Sequence, residues 1–215
     1  MSEKEYTNFL AEYSQKNFEE FEKYFQLECK IFYELESVIF EINNCLILEL
    51  NRAALTLTNF LLERLLKITL IYNEAGFGPL DTKKWNLVYA TPHKKYNKLN
   101  FSQTIEKCRK LGLIDDGERK YLDEIARNLI RNCFSHADST KITDKLPKHM
   151  LAYQSSFDNP TKIEEITFER AIIPTFQAEI MRDFAKINAK IYFKFAYNLI
   201  PNIEKKLEYF KNTEK

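Results

Sequence analysis

The sequence predicts an all-α fold, a helical bundle with long helices towards its N-terminus. Three observations predict this class. The 215 residues include only four glycines and six prolines, so few positions would interrupt a helix. Apolar residues make up 45% of the chain, which is enough to fill a core. These apolar residues recur at spacings of three and four, whereas the alternation typical of strands is weak throughout.

The first segment, residues 1–44, is predicted to be one long helix from about Glu5 to Ile42. An apolar seam with spacings of three and four runs along it, interrupted only by Glu28. Such a seam either lies on the core of its own bundle or forms a dimer contact. The seam consists of Phe18, Phe21, Phe25, Phe32, Leu35, Ile39, Ile42 and Leu46.

The same segment is acidic. Residues 1–50 contain eleven glutamates and four lysines, although the whole chain has a net charge of only +1. One interpretation is an ordinary solvated helix face. The alternative is an acidic arm that covers a basic surface on a partner or on this chain. If that arm is the working part, the protein is a helical interaction protein.

A second helix is predicted from about Cys45 to Asn73, with a stop signal at residues 76–79. It is apolar around most of its circumference, which is typical of a buried central helix. A narrow polar stripe remains, and its members Glu63 and Lys67 have the spacing of an i,i+4 ion pair. Alternatively, the stripe faces the motif described below. The stripe consists of Arg52, Thr56, Asn59, Glu63 and Lys67.

Residues 77–100 are predicted to form a linker that contains Trp85, the only tryptophan. Basic and aromatic residues alternate over residues 93–98. A patch of this kind is suited to RNA phosphates and base stacking, with Lys94 and Lys95 as the cations, or it is a solvated loop.

A third helix is predicted from an N-cap at Ser102 to about Gly112, and a fourth from about Glu118 to Phe134. Residues 137–164 are then predicted to be a polar loop. A last helical segment is predicted over about residues 166–210, interrupted at Pro174 and Pro201.

The most informative motif lies at the end of the fourth helix, where Arg131 and His136 are five residues apart. Arginine binds phosphate oxygens with a planar fork, and histidine transfers protons near neutral pH. The pair therefore suits cleavage of an RNA phosphodiester without a metal ion. Asn132 lies four residues before His136 and Ser135 four after Arg131, so both are predicted to support the pair. The alternative is that His136 caps the helix.

Residues 128–138 resemble the "RN…H" signature of the HEPN superfamily (higher eukaryotes and prokaryotes nucleotide-binding), in which an arginine, often followed by a polar residue, precedes a histidine by four to six residues. Asn132 matches the polar position. The resemblance covers about residues 45–140, the predicted HEPN-like core. Residues 1–44 form an extension and residues 141–215 complete the bundle.

The resemblance implies a bundle that commonly dimerises and brings two motifs into one cleft. It implies a metal-independent endoribonuclease of toxin–antitoxin or antiphage defence, with His136 as general acid or base and Arg131 on the phosphate. Arg127 is a further candidate for RNA binding. Other members of the superfamily have the fold without the nuclease and bind nucleotide, RNA or protein, which is the alternative function for this chain.

The remaining expectations concern location and partners. The N-terminus lacks the basic and apolar regions of a signal peptide, and no apolar run is long enough to span a membrane. We therefore expect a cytoplasmic protein. The cysteines and histidines lack metal-ligand spacing, so we expect neither metal nor cofactor. The expected partners are an RNA substrate, a second copy of the chain and an antitoxin or other regulatory protein.

Overall fold

The protein is mostly helical, as the sequence predicts, with one small antiparallel sheet. The computed structural model describes residues 1–26, 28–78, 81–135, 140–144, 147, 149–169 and 171–213. The α-helices are α1 Glu3–Phe21, α2 Glu36–Ile47, α3 Asn51–Ala75, α4 Trp85–Tyr96, α5 Phe101–Lys110, α6 Asp116–Tyr121, α7 Asn132–Ser135, α8 Thr140–Thr143 and α9 Pro174–Thr213. Short 3₁₀ turns cover Glu22–Phe25, Tyr33–Leu35 and Thr82–Lys84, and a π-helical segment covers Leu122–Arg131. The sheet consists of β1 His149–Ser156 and β2 Asn159–Glu169.

Helix α3 lies at the centre of the bundle, as its apolar circumference predicts. It packs against α9, α2, α4 and α5, and many of its side chains are fully buried. The helix stops at Gly76, whose φ of 82° lies in the left-handed region that costs glycine least. The predicted central helix and its stop signal are therefore confirmed, but the helix begins at Asn51 and not at about Cys45. The fully buried leucines of α3 are Leu55, Leu61, Leu62, Leu65, Leu66 and Leu70.

The single long helix predicted over residues 5–42 is wrong. Helix α1 ends at Phe21, and α2 begins only at Glu36. The break allows α1 to fold back and pack against α2, which one straight helix of that length could not do. A second break follows α2, where Glu49 takes a φ of 55°.

Most of the predicted seam is buried within this chain. Phe25 is half-buried and Phe18 is exposed, whereas the other six seam residues are buried. The seam therefore packs on the core of its own bundle, and a dimer contact is not needed to explain it. The buried members are Phe21, Phe32, Leu35, Ile39, Ile42 and Leu46.

The turn between α1 and α2 depends on a residue near the other end of the sequence. Glu204 of α9 is only 7% exposed. Its Oε1 accepts hydrogen bonds from the backbone N–H groups of Ile31 and Phe32, at 2.8 and 3.2 Å. These N–H groups are buried and need acceptors once the helix is interrupted. Glu204 therefore stabilises the break directly.

The linker predicted over residues 77–100 is also wrong, because half of it is helix α4 and a 3₁₀ turn precedes that helix. Asp81 accepts a hydrogen bond from the N–H of Lys83 at the start of the preceding turn. Pro92 and Tyr96 are buried one turn apart, and α4 packs on α3. Only two buried residues mark this helix, so no periodic pattern reveals it in the sequence.

Helix α5 is confirmed, but its predicted N-cap is displaced by two residues. Asn100, not Ser102, caps the helix. The Asn100 side chain accepts from the N–H of Gln103 at 2.9 Å, and the Gln103 side chain accepts from the N–H of Asn100 at 3.0 Å. This reciprocal pair satisfies two backbone donors, whereas Ser102 would satisfy only one.

The polar loop predicted over residues 137–164 instead contains α8, β1 and the start of β2. The strands pair in antiparallel register from His149 opposite Glu169 to Ser155 opposite Ile163. The sequence hides this hairpin because most of its side chains are exposed on both faces, so no apolar alternation is required. One contact at its base is a ring stack of Phe168 on Phe176 of α9, with centroids 4.9 Å apart.

Helix α9 begins at Pro174 and continues without interruption for 40 residues, about 60 Å at the rise of an α-helix. Proline is well suited to the first turn of a helix, where its missing N–H has no partner to lose. The predicted interruption at Pro201 is wrong, since burial on both sides of it holds the helix together. Ile200 and Ile203 are fully buried there.

One hydrophobic core joins residues from the three predicted segments, 1–44, 45–140 and 141–215. The strongest packing within it is that of α9 along α3. Among the described residues, no helix is long and apolar enough to cross a membrane.

Candidate functional site

The motif helix, residues 116–135, consists of α6, the π-helical segment and α7 in direct succession. Asp115 caps it by accepting from the N–H of Glu118 at 2.8 Å, while the Glu118 side chain accepts from the N–H of Asp115. The helix predicted over residues 118–134 is therefore confirmed, with a start two residues earlier.

The π-helical form of residues 122–131 was not predicted. Its buried residues Leu122, Ala126 and Ile130 repeat every four positions. The same spacing is typical of an α-helix, so the sequence does not distinguish the two forms. π-Helical turns are rare and occur frequently at functional sites. The polar residues of this segment, from Asp123 to Arg131, are all partly or fully exposed.

Arg131 forms an ion pair with the central helix. Its Nε lies 2.5 Å from Oε1 of Glu63, and the two side chains are 31% and 27% exposed. The predicted pairing of Glu63 with Lys67 is therefore replaced by a tertiary one. The alternative, that the stripe of α3 faces the motif helix, describes Glu63 correctly. The sequence indicates Lys67 as the partner of Glu63, whereas the structure shows that the partner is Arg131.

Two other members of the stripe contact α9. Arg52 donates from Nη2 to the carbonyl of Ala178 at 2.6 Å, and Tyr192 donates its hydroxyl to Oδ1 of Asn59 at 2.5 Å. Burial raises the pKa of Tyr192 well above its ordinary value, with a smaller contribution from the charge of Glu63. The hydroxyl of Tyr192 therefore remains a donor at neutral pH. This buried Tyr192–Asn59 bond lies beside the Glu63–Arg131 pair, one helical turn along α3.

Of the predicted supporting residues, Asn132 is half-buried and donates from Nδ2 to the carbonyl of Asn128 at 3.4 Å. This long bond ties the amide to its own helix. Ser135 is the last residue of α7, and its side chain lies outside the description. His136 lies outside the described residues, so its position relative to Arg131 stays a prediction.

Of the predicted RNA-binding cations, Arg127 lies one turn before Arg131 on the motif helix, whereas Lys94 and Lys95 lie on α4. Arg127 pairs with Asp123 at 2.8 Å on the motif helix. Lys95 lies on α4 and pairs with Glu74 at 2.5 Å, while the neighbouring Lys94 is exposed. Glu74 and Glu63 are eleven residues apart on α3, about 16 Å along its axis. Lys95 therefore lies at the C-terminal end of α3, whereas Arg131 contacts the middle of that helix.

The chemistry available at Arg131 is the binding of an oxyanion. The contact with Glu63 uses Nε, and the two terminal nitrogens of a guanidinium carry the other four of its five N–H donors. A carboxylate that holds Nε fixes the plane of the group, so that these donors point in a defined direction. Among the described residues, no cluster of three histidine, cysteine, aspartate or glutamate side chains could hold a metal ion.

Comparison of the chain with known proteins identifies no family for it. No protein-family model, no curated protein and no solved structure matches the chain.

Proposed function

We propose that the protein is a metal-independent endoribonuclease of HEPN type, acting as a dimer in toxin–antitoxin or antiphage defence. The observation that carries the proposal is the ion pair between Arg131 and Glu63. It holds the Arg131 side chain, which is 31% exposed, at the position where the HEPN-like motif requires a phosphate-binding group.

In the proposed reaction, the ribose 2′-hydroxyl attacks the adjacent phosphorus while the bond to the 5′-oxygen breaks. His136 of one copy removes the proton from the 2′-hydroxyl, and His136 of the other copy donates a proton to the leaving 5′-oxygen. The products are a 2′,3′-cyclic phosphate and a 5′-hydroxyl. Proton transfer of this kind is typically worth about 10²–10⁴ in rate. Because DNA lacks the attacking hydroxyl, it is not a substrate.

Arg131 binds the non-bridging oxygens and stabilises the charge that develops on them. Glu63 acts as a positioning residue through its contact with Nε of Arg131. A misplaced donor loses much of its effect, since small displacements of catalytic groups are costly. Glu63→Gln should therefore lower kcat more than it changes KM.

The test is incubation of the purified protein with total RNA in EDTA, with the 3′ ends of the products analysed for cyclic phosphate. His136→Ala and Arg131→Ala should each lower the cleavage rate by about 10²-fold or more. Lys120→Ala is the control, because Lys120 is an exposed residue of α6. Circular dichroism would establish that each variant is folded.

A substrate with a single 2′-deoxy nucleotide at the cleavage position should resist cleavage there. Cleavage that survives both His136→Ala and Arg131→Ala, or that proceeds at the 2′-deoxy position, would contradict the proposal. Sedimentation of the active species measures whether it is the expected dimer, and co-purification of a second protein would identify an antitoxin or regulator.

A second function is favoured by the charge pairing at the motif. Arg127 and Arg131 each contact a carboxylate, Asp123 and Glu63 respectively, which lowers the positive field that an RNA backbone would meet. This arrangement suits a non-catalytic HEPN-like module that binds nucleotide, RNA or a protein partner. Such a module would bind its ligand without cleaving RNA, and Arg131→Ala would lower the affinity for that ligand.

A further inference from the structure

A groove lined by aromatic side chains lies where α3, α4 and the chain around residues 30–34 meet. Its volume is about 540 Å³, within the range of small-molecule sites. Tyr72 and Tyr89 form one wall, with ring centroids 6.2 Å apart. We refer to this feature as the aromatic groove. The rings that line it are Tyr33, Tyr72, Phe77, Trp85 and Tyr89.

A carboxylate with one unused oxygen lies in the wall of the aromatic groove. Oε1 of Glu34 accepts a hydrogen bond from the hydroxyl of Tyr72 at 2.8 Å, whereas Oε2 is buried without a hydrogen-bond partner. A buried acceptor without a partner is unfavourable. Glu34 is itself one of the residues that line the groove. The wall is therefore suited to a ligand that brings an N–H donor.

The charges around the aromatic groove decide the sign of that ligand. Lys30, Arg64 and His93 line the groove with exposed side chains, against the single carboxylate of Glu34. The lining is therefore net positive even when the histidine is neutral. This balance disfavours a quaternary ammonium or another cation, although an aromatic cage with a carboxylate would otherwise suit one. It favours a ligand that carries an anionic group.

We propose that the aromatic groove binds a purine nucleotide with an exocyclic amino group. The base stacks on the rings that line the groove, and its amino group donates to Oε2 of Glu34. The phosphate lies at Arg64 and Lys30, which are exposed at the groove and suited to phosphate oxygens. A flat ring, an N–H donor and an anion are together the features of a nucleotide.

This site is separate from the one proposed for RNA cleavage. Arg64 follows Glu63 in α3, and consecutive residues of an α-helix point about 100° apart. The ion pair with Arg131 and the aromatic groove therefore occupy different faces of the same helix. Binding at the groove does not depend on whether Arg131 and His136 are catalytic.

The direct test uses two pairs of nucleotides that differ by one amino group. AMP is compared with purine riboside 5′-monophosphate, and GMP with IMP. Binding is measured by calorimetry and by the fluorescence of Trp85, the only tryptophan of the chain. At least one nucleotide with the amino group should bind about tenfold or more tightly than its partner without it, as expected for a bond to a charged acceptor.

Two variants separate the parts of the site. Glu34→Gln should remove the preference for the amino group, because its own NH₂ replaces an acceptor. Arg64→Ala should weaken binding of the monophosphate about fivefold or more and leave binding of the nucleoside unchanged. Since Arg64 is exposed, this variant should fold normally. Lys120→Ala, outside the groove, is the control and should change neither affinity.

The nucleotide could be free or belong to the end of an RNA chain, and both sources share this chemistry. Single-stranded tetraribonucleotides that end in adenosine or in uridine distinguish them, with His136→Ala protein so that cleavage does not interfere. Tighter binding of the adenosine-ended chain than of AMP would assign the site to an RNA end, and the reverse to a free nucleotide. Equal affinity for both members of each pair would overturn the proposal. So would the absence of binding for all of these ligands at concentrations up to about 5 mM.

Discussion

Helix α3 and the β-hairpin meet opposite surroundings. α3 has 25 residues, and six of its seven leucines are fully buried. The hairpin strands have 8 and 11 residues, and apolar side chains such as Tyr153, Phe157 and Ile163 are 68%, 106% and 67% exposed. In α3, burial of side chains selects the structure. The hairpin depends instead on the backbone hydrogen bonds between its two strands. At its base, Phe168 packs on Phe176 of α9.

The comparison indicates that the two regions contribute unequally to stability. A two-stranded hairpin is marginally stable at best by itself, whereas the buried face of α3 is part of a continuous core. Mutations in the core should therefore lower the free energy of unfolding strongly, whereas mutations in the hairpin should change it little.

The largest effect is expected for Leu66→Ala in α3. Leu66 is fully buried, so its truncation removes buried methyl groups and leaves a cavity, which typically costs about 2–5 kcal/mol of unfolding free energy. Urea denaturation measures this value. Phe60→Ala is the matched control, because Phe60 lies on the same helix but is 57% exposed. A control that loses as much as Leu66→Ala would contradict the central position of the buried face.

Glu204→Ala should have the next largest effect. It leaves the N–H groups of Ile31 and Phe32 without their acceptor, and an unsatisfied buried donor costs about 1–3 kcal/mol. Glu204→Gln keeps one oxygen and should lose clearly less. Unfolding free energies that are equal for the alanine and glutamine variants would show that the carboxylate is not what holds the turn.

The pair between Glu63 and Arg131 should have a smaller effect. Both side chains are about one-third exposed, so a double-mutant cycle should give a coupling energy of about 0.2–1 kcal/mol. The more exposed pair between Arg109 and Asp116, at 45% and 76%, provides the comparison and should couple more weakly. The reverse order would indicate that Glu63 and Arg131 separate in solution.

The smallest effect is expected for Phe157→Ser at the tip of the hairpin. This side chain is fully exposed, so the free energy of unfolding should change by less than about 0.5 kcal/mol. Phe168→Ala should instead loosen the base of the hairpin and speed limited proteolysis between residues 150 and 168. A fall in global stability with Phe157→Ser would mean that the tip contacts the bundle.

The helices that could be predicted are those with a long periodic buried face. α3 and the motif helix each bury a residue in nearly every turn, so spacing alone reveals them. α4 buries only Pro92 and Tyr96, and the hairpin buries almost nothing, so neither leaves such a pattern. The turn after α1 depends on Glu204, which is more than 170 residues away along the chain and invisible to any local window.

The site was predictable only in part. Arg131 is singled out by the motif, and its side chain is 31% exposed, which suits the role predicted for it. Its partner Glu63 does not follow, because Lys67 has the spacing of a sufficient local partner and only the packing of the motif helix on α3 decides between them. Glu34 gives no signal in the sequence, because the burial of its unpartnered Oε2 depends on the packing of distant residues around it.

The dependence of Ile31 and Phe32 on Glu204 has a consequence for how the molecule forms. Contacts between distant parts of a chain form slowly, because the intervening segment must first be closed into a loop. During synthesis, the turn after α1 lacks its acceptor until residue 204 has emerged from the ribosome. The early helices should therefore remain incompletely packed on the ribosome and depend on the last helix to finish the core.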